Sequence, residues 1–317
     1  MSTGLIKPLP RPDGCGDLNV EYFPANGCAE FGSVLNGEKC SQLRHWINEQ
    51  RPLHSGIFYE SPEAFQAKGR WSRYAPGPGH NLLEGQDLSF IEQDPKFIDL
   101  VQKLVGPGYS IMKKAVIRST PKAVIPKWIF ELVGDVGRPN LNPFVHDDLQ
   151  DVQYFYCTDY HQDKTRAASH FVTVYVYLDS VGPDYSALRL LLGSHVLGMT
   201  SYPHCLRRSN MDKALWYYTD AEGNHVACPE ATVTGEAGSI SCFHGLTLHG
   251  TPVNNSPDPR ISIRYLVAPD PDRSDKNNMF DRANERVIGP MDITMNRVDV
   301  AEDGSFLPTG SSLGSYE

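Results

Sequence analysis

His161-Gln162-Asp163, followed much later by His249 and then Arg260, is the part of this chain best suited to chemistry. Side chains two positions apart on a strand point the same way, so the imidazole of His161 and the carboxylate of Asp163 share one face. One more histidine from a distant strand completes a facial set of two histidines and one carboxylate. Such a set leaves half of an octahedral Fe(II) open, as an enzyme needs if it must bind a chelating co-substrate and dioxygen together. Arg260 adds a fixed fork of donors suited to a carboxylate.

Spacing alone does not select these residues, because the chain holds eleven histidines and His146-Asp147-Asp148 repeats the pattern. Context separates the two copies. After His161 the chain runs through a short polar stretch into Phe-Val-Thr-Val-Tyr-Val-Tyr-Leu at 171–178, a β-branched and aromatic run that reads as a buried strand. His146 leads instead into the acidic stretch 147–151. His249 has a rival in His244, five residues earlier. Arg260 lies at the end of a loop-like segment, where an arginine is usually solvated. Yet Arg260-Ile-Ser-Ile-Arg264 opens an alternating strand that places Arg260, Ser262 and Arg264 on one face.

The elements that must hold these groups can be read from periodicity. Glu38 to Gln50 carries Leu43, Trp46 and Ile47 at helical spacing. Asp94-Pro95 followed by Phe97, Ile98, Leu100, Val101, Leu104 and Val105 reads as a capped helix that stops at Gly106-Pro107-Gly108. Strands are expected at Tyr109 to Arg118, Trp128 to Val133, Val152 to Tyr156, Val172 to Leu178, Ala187 to Leu192, Gly238 to Phe243 and Ile261 to Val267. Short strands between turns, after a helical start, predict a mainly β fold. The expected form is a double-stranded β-helix, a cupin-like jelly roll, with buttressing N-terminal helices and the ligands at its mouth.

One domain is expected over 1–317: an irregular arm at 1–35, a helical buttress at 36–108, a jelly-roll core at 109–268 and a polar C-terminal extension at 269–317, whose last ten or so residues read as disordered. A long insertion at 195–235 contains Tyr202, His204, Trp216, Tyr217, Tyr218 and His225. It reads either as a lid over the substrate or as a surface excursion that covers an edge.

Lys and Arg number 29 against 38 Asp and Glu, a formal charge of −9, with no basic run of five. Nucleic acid and anionic membrane surfaces are therefore not expected partners, and a small-molecule substrate is. The start lacks an apolar core of signal-peptide length and no later run approaches a membrane span, so a soluble, cytoplasmic or otherwise intracellular protein is expected. Seven cysteines without a C-x-x-C argue against a disulfide framework and a zinc site. Cys157 and Cys242 read as small buried hydrophobes rather than metal ligands.

The order of His161-Gln-Asp163, then Ser186-Ala-Leu-Arg-Leu-Leu-Leu-Gly-Ser-His195, then Gly238-Ser-Ile-Ser-Cys-Phe-His-Gly-Leu-Thr-Leu-His249-Gly-Thr251, then Arg260 resembles the phytanoyl-CoA dioxygenase family over about 93–268. In that family an arginine lies eleven positions after the distal histidine, which favours His249 over His244 and Arg260 over Arg264. Tyr160 departs from the tryptophan of many relatives, a difference that concerns packing. The resemblance implies Fe(II) held by His161, Asp163 and His249, with 2-oxoglutarate anchored by Arg260 and Thr251, and dioxygen as oxidant. It implies oxidative decarboxylation coupled to hydrogen abstraction, ending in hydroxylation or oxidative ring closure, as in the algal kainoid synthases that cyclise an N-prenylated glutamate. Arg264, Arg189 and His195 are candidates for touching substrate, and Arg207-Arg208 would also suit an anion. The competing reading is a non-oxidising metal-binding or small-molecule-binding protein on the same fold.

Overall fold

The computed structural model describes residues 18–68, 76, 79–133, 140–163, 171–199, 206–219, 224–270, 272 and 277–291. Its strands form two sheets of six. The first is ordered β1 (Cys28–Ser33), β10 (Ser239–His244), β5 (Val172–Tyr177), β12 (Arg260–Ala268), β2 (Ser110–Ser119) and β3 (Gln153–Phe155), antiparallel except for β2 with β3. The second is ordered β4 (Thr158–His161), β11 (His249–Thr251), β6 (Arg189–Leu191), β9 (His225–Thr232), β8 (Leu215–Thr219) and β7 (Leu206–Arg208). This is the expected mainly β, double-sheet architecture.

Strand alternation divides the side chains of the first sheet between two environments. Val172, Val174 and Val176 of β5, with Ile261, Ile263, Tyr265 and Val267 of β12, join the large core shared with the helices. Tyr175 and Tyr177, with Ala115 and Ile117 of β2, pack instead against Leu188 and Leu190 from the second sheet. The same parity turns Arg260, Ser262 and Arg264 into the space between the sheets. Two helices close the opposite face of the first sheet. Helix Gly37–Gln50 starts on Asn36, whose side chain accepts from the Lys39 amide at 3.1 Å. Helix Pro95–Val105 starts on Asp94, which accepts from the Lys96 amide at 2.8 Å, and ends at Gly106 with φ of 90°. A cap of this kind is worth about 1 kcal/mol. The second helix buries Phe97, Leu100, Val101, Leu104 and Val105, and the Phe97 ring meets Tyr265 of β12 at 5.5 Å.

Two expectations are corrected. Trp128 to Val133 belongs to a helix, Lys127–Val133, not a strand. Its aromatic run imitates a strand, but Lys127 and Glu131 pair at helical spacing, 3.3 Å apart, and Trp128 donates to the Tyr59 carbonyl at 3.1 Å. The arm is not irregular throughout, because Cys28–Ser33 forms an edge strand paired with β10. Within the insertion, β7, β8 and β9 extend the second sheet beyond β6. Tyr202, His204 and the end of the C-terminal extension lie outside the described residues. No described helix is long and apolar enough to cross a membrane.

His195 and His244 lie buried side by side, with ring centroids 5.6 Å apart. His244 also packs on Phe280 at 4.9 Å and its Nε2 meets Asn284 Oδ1 at 2.9 Å, which docks helix Met279–Asn284 onto the barrel. Burial pushes His195 from 6.5 down to about 3, and His244 down to about 4. Both are therefore kept neutral in the folded state, whereas the unfolded chain takes up these protons near pH 6.5. Stability should be complete above that pH and fall as the pH drops towards the folded values, by up to about 1.4 kcal/mol per pH unit for each ring. Urea midpoints measured across this range should fall with acid, and less steeply in His195→Gln; an unchanged slope in that variant contradicts the assignment.

Candidate metal centre

β4 and β11 are neighbours in the second sheet, and their register sets His161 directly opposite His249. Opposed residues in an antiparallel pair bring their Cβ atoms to about 4.5–5.5 Å, so two imidazoles on one face must meet. Their ring centroids are 4.3 Å apart. The two backbones can approach because residue 250 is glycine: a Cβ there would stand 2.6 Å from the Thr158 carbonyl oxygen. Nδ1 of His161 faces the Asp159 carbonyl at 2.7 Å, and Nδ1 of His249 faces the Thr247 carbonyl at 2.9 Å. Each carbonyl can only accept, so Nδ1 carries the proton and Nε2 presents its lone pair.

Asp163 is fixed two residues beyond His161. Its amide donates to the Gly245 carbonyl at 3.2 Å, and its Oδ2 accepts from the Thr173 hydroxyl at 3.2 Å. Oδ1 is left 3.6 Å from His249 Nε2. One ligand atom from each of His161, Asp163 and His249 lies within 4.8 Å of the others, the only such His, Cys, Asp or Glu group among the described residues. Atoms that each stand about 2.0–2.2 Å from one ion are at most about 4.4 Å apart, and the 3.6 Å between Asp163 Oδ1 and His249 Nε2 lies inside that limit. Burial, reinforced by His161, pushes His249 down to about 4, so its ring is neutral at ordinary pH. Burial alone would raise the Asp163 carboxyl, but His249, Arg264 and His161 outweigh it and hold the group below the usual carboxylate range. Two imidazoles and a carboxylate are a donor set suited to a divalent first-row metal.

A row of rings leads from this trio to Arg260. Phe243 lies 4.3 Å from the His249 ring, Tyr175 lies 6.0 Å from Phe243, and Tyr177 lies 6.1 Å from Tyr175. The Arg260 guanidinium stacks over Tyr177 at 5.5 Å. It is only 4% exposed, yet its Nε and Nη1 have no partner. Buried donors of a cation left without hydrogen bonds are costly, and a bound carboxylate would remove the cost. The buried hydroxyls of Ser119, which is Arg260's cross-strand partner, and of Ser262 are unpartnered as well. Sequence alternation placed Ser262 beside Arg260. Ser119 needs the β2–β12 register and was not found from the sequence. Thr251 Oγ1 lies 3.1 Å from Thr158 Oγ1, on the strand that carries His249.

The other candidates separate clearly. Arg264 shares the inner face, where its Nη2 donates to Gln153 Oε1 at 2.8 Å. Arg189 does not reach the site, because Leu188 and Leu190 take the inner positions of that strand and turn it outward beside Leu191. His195 is also away from it, packed under Pro24, whose carbonyl lies 3.3 Å from its Nε2. Its neighbour Ser194 does contribute, since its hydroxyl accepts from the Leu248 amide at 2.8 Å and so holds the strand that carries His249. Arg207 and Arg208 sit on β7, at the far edge of the sheet from β4. The rival His146 stacks on Tyr59 at 4.5 Å, while Asp147 pairs with Lys68 at 2.5 Å. Tyr160 packs on Trp216 at 5.1 Å, and both donate to Glu230, at 2.5 and 2.8 Å. Cys157 and Cys242 are buried.

Comparison with known proteins matches residues 137–262 to the phytanoyl-CoA dioxygenase (PhyH) family. No curated protein matches the chain in sequence. Similar solved structures include the epimerase SnoN in complex with Fe3+, alpha ketoglutarate and nogalamycin RO, at 16% identity and a TM-score of 0.47, covering 79% of this chain and 82% of that one. HygX from Streptomyces hygroscopicus, with nickel and 2-oxoglutarate bound, shares 13% identity with a TM-score of 0.43, covering 79% of this chain and 85% of that one. AviO1 from Streptomyces viridochromogenes Tue57 shares 17% identity with a TM-score of 0.44, covering 81% of this chain and 97% of that one. His161, Asp163, His249 and Arg260 all lie inside the segment that matches the phytanoyl-CoA dioxygenase family.

Proposed function

We propose that this protein is a non-haem Fe(II)/2-oxoglutarate-dependent oxygenase that removes hydrogen from an unactivated C–H of a small anionic metabolite. The product is an alcohol or a new ring in natural-product biosynthesis, and kainoid-type cyclisation of an N-prenylated glutamate is the candidate reaction. The observation that carries this reading is a pairing: three converging ligand atoms share one interior with a buried guanidinium whose Nε and Nη1 have no hydrogen-bond partner. A non-oxidising metal scaffold would have no use for the second feature.

In this reading His161, Asp163 and His249 hold the iron, while Arg260 and Thr251 hold the far carboxylate of 2-oxoglutarate. Iron with 2-oxoglutarate and dioxygen supplies hydrogen abstraction, coupled to conversion of the co-substrate to succinate and carbon dioxide. The chain's own residues set the conditions. Backbone carbonyls at 159 and 247 keep both Nδ1 protons in place, so the rings cannot turn their lone pairs away. Thr173 fixes one carboxylate oxygen of Asp163 and leaves the other towards His249. Phe243, Tyr175 and Tyr177 wall the space between iron ligands and Arg260 with apolar surface, which excludes water and strengthens the arginine's hold on an anion.

Alanine at His161 or Asp163 should abolish iron-dependent succinate formation while the far-ultraviolet circular dichroism stays that of the parent. Paired alanines at His146 and Asp148 should leave it intact; the reverse pattern would move the metal to the earlier motif. Arg260→Met should raise the half-saturating 2-oxoglutarate concentration by about 10- to 100-fold, the loss expected for a charge-assisted hydrogen-bond pair. An unchanged requirement in steady-state assays would remove Arg260 from the co-substrate site.

A further inference from the structure

We propose that Lys113 and Arg264 form a second anion site between the sheets, one that takes a carboxylate or phosphate of the organic substrate and is separate from the co-substrate anchor at Arg260. Its role in turnover rests on the oxygenase reading above, whereas its capacity to bind an oxyanion does not.

The placement follows from register. β2 and β12 are antiparallel, with Arg264 opposite Ala115 and Leu266 opposite Lys113. Lys113 is thus the diagonal neighbour of Arg264, with backbones about 7–8 Å apart and both side chains on one face. That face is the inner one, since Ala115 and Ile117, two and four residues on, both pack between the sheets. Leu266 also stands opposite Thr173 of β5, whose hydroxyl donates to Asp163. Lys113, Leu266 and Thr173 therefore form one row across three strands, which puts Lys113 about 10 Å from the strand position that supports the metal-binding carboxylate. A small metabolite spans that distance.

Charge supports the same conclusion. Lys114, the next residue, turns to the other face and pairs with Glu92 at 2.9 Å. Lys113 is paired with no carboxylate among the described residues. Burial lowers its pKa, and so does Arg264, the one charged neighbour that acts on it. Arg264 has neutral side-chain partners, Gln153 and the Tyr175 hydroxyl, and feels Asp163 at longer range. In this reading that carboxylate is already committed to iron. Two adjacent cations, half-buried and without an acid of their own, repel one another until an anion sits between them. Lysine and arginine together suit an oxyanion with two or three acceptor oxygens.

The test is calorimetric titration of the full chain, loaded anaerobically with Fe(II) and 2-oxoglutarate so that Arg260 is occupied. Inorganic phosphate and acetate are added separately at constant ionic strength set with chloride. At least one anion should bind at a single saturable site; tighter acetate binding points to a carboxylate substrate, and tighter phosphate binding to a phosphorylated one. Lys113→Met should weaken that binding at least about tenfold, the loss of one charge-assisted contact. Lys114→Met, which removes a lysine from the opposite face, should not. Absence of saturable binding by either anion, or equal affinity in Lys113→Met, overturns the proposal. Failure of the unaltered protein to bind iron and 2-oxoglutarate would count against the oxygenase reading alone, and the same titrations on the metal-free chain would still decide the anion site.

Discussion

The pairing of β4 with β11 is the constraint on which the rest of the site depends. With His161 opposite His249, a slip of one residue in that pair would send one imidazole to the outer face of the sheet. Several features guard the register. Gly250 lets the strands close on the Thr158 carbonyl, Ser194 holds the Leu248 amide, and the carbonyls of Asp159 and Thr247 orient the two rings. None of these groups is itself a proposed ligand. Each acts by reducing the number of ways in which the ligands can be wrong.

Charge in the interior is arranged with similar economy. Asp163 is the acid at the ligand trio, and its ionised form is favoured by His249, Arg264 and His161. Arg260 is placed further along the same inner face, beyond the rings of Tyr175 and Tyr177, where it cannot neutralise the metal-binding carboxylate by direct pairing. Were Arg260 to pair with Asp163, both anchors would be lost at once. Separation by an aromatic wall keeps the carboxylate and the guanidinium apart, as their proposed roles as metal ligand and co-substrate anchor require.

Much of this was legible in the sequence, for reasons that differ between elements. β5 and β12 announce themselves by β-branched and aromatic alternation, and helix Pro95–Val105 by its cap, its apolar stripe and its glycine stop. The proposed ligand trio was picked out by a two-residue spacing followed by a strong strand, and by the family's eleven-residue interval, and the structure brings its three side chains together. What escaped depends on tertiary pairing. β1 carries Glu30 and Gly32 and lacks a clean alternation, so only its partner β10 makes it a strand. Lys127–Val133 was misread because its aromatic residues suit either period, and packing under Tyr59 and Phe144 decides for the helix. Arg189 and His195 looked available because composition does not tell which face of a short strand or turn is inward. Ser119 and Lys113 could not be placed near Arg260 and Arg264 without the register of β2 against β12.

The central claim is that one Fe(II) and one 2-oxoglutarate meet inside this barrel on these particular side chains. Visible absorption recorded anaerobically on the purified chain tests it most directly, because chelation of Fe(II) by 2-oxoglutarate gives a weak charge-transfer band that neither component shows alone. The band should appear in the unaltered protein and be absent from a folded Asp163→Ala chain. A fully folded parent protein that gives no band with saturating iron and 2-oxoglutarate, or an alanine variant that keeps it, would contradict the account.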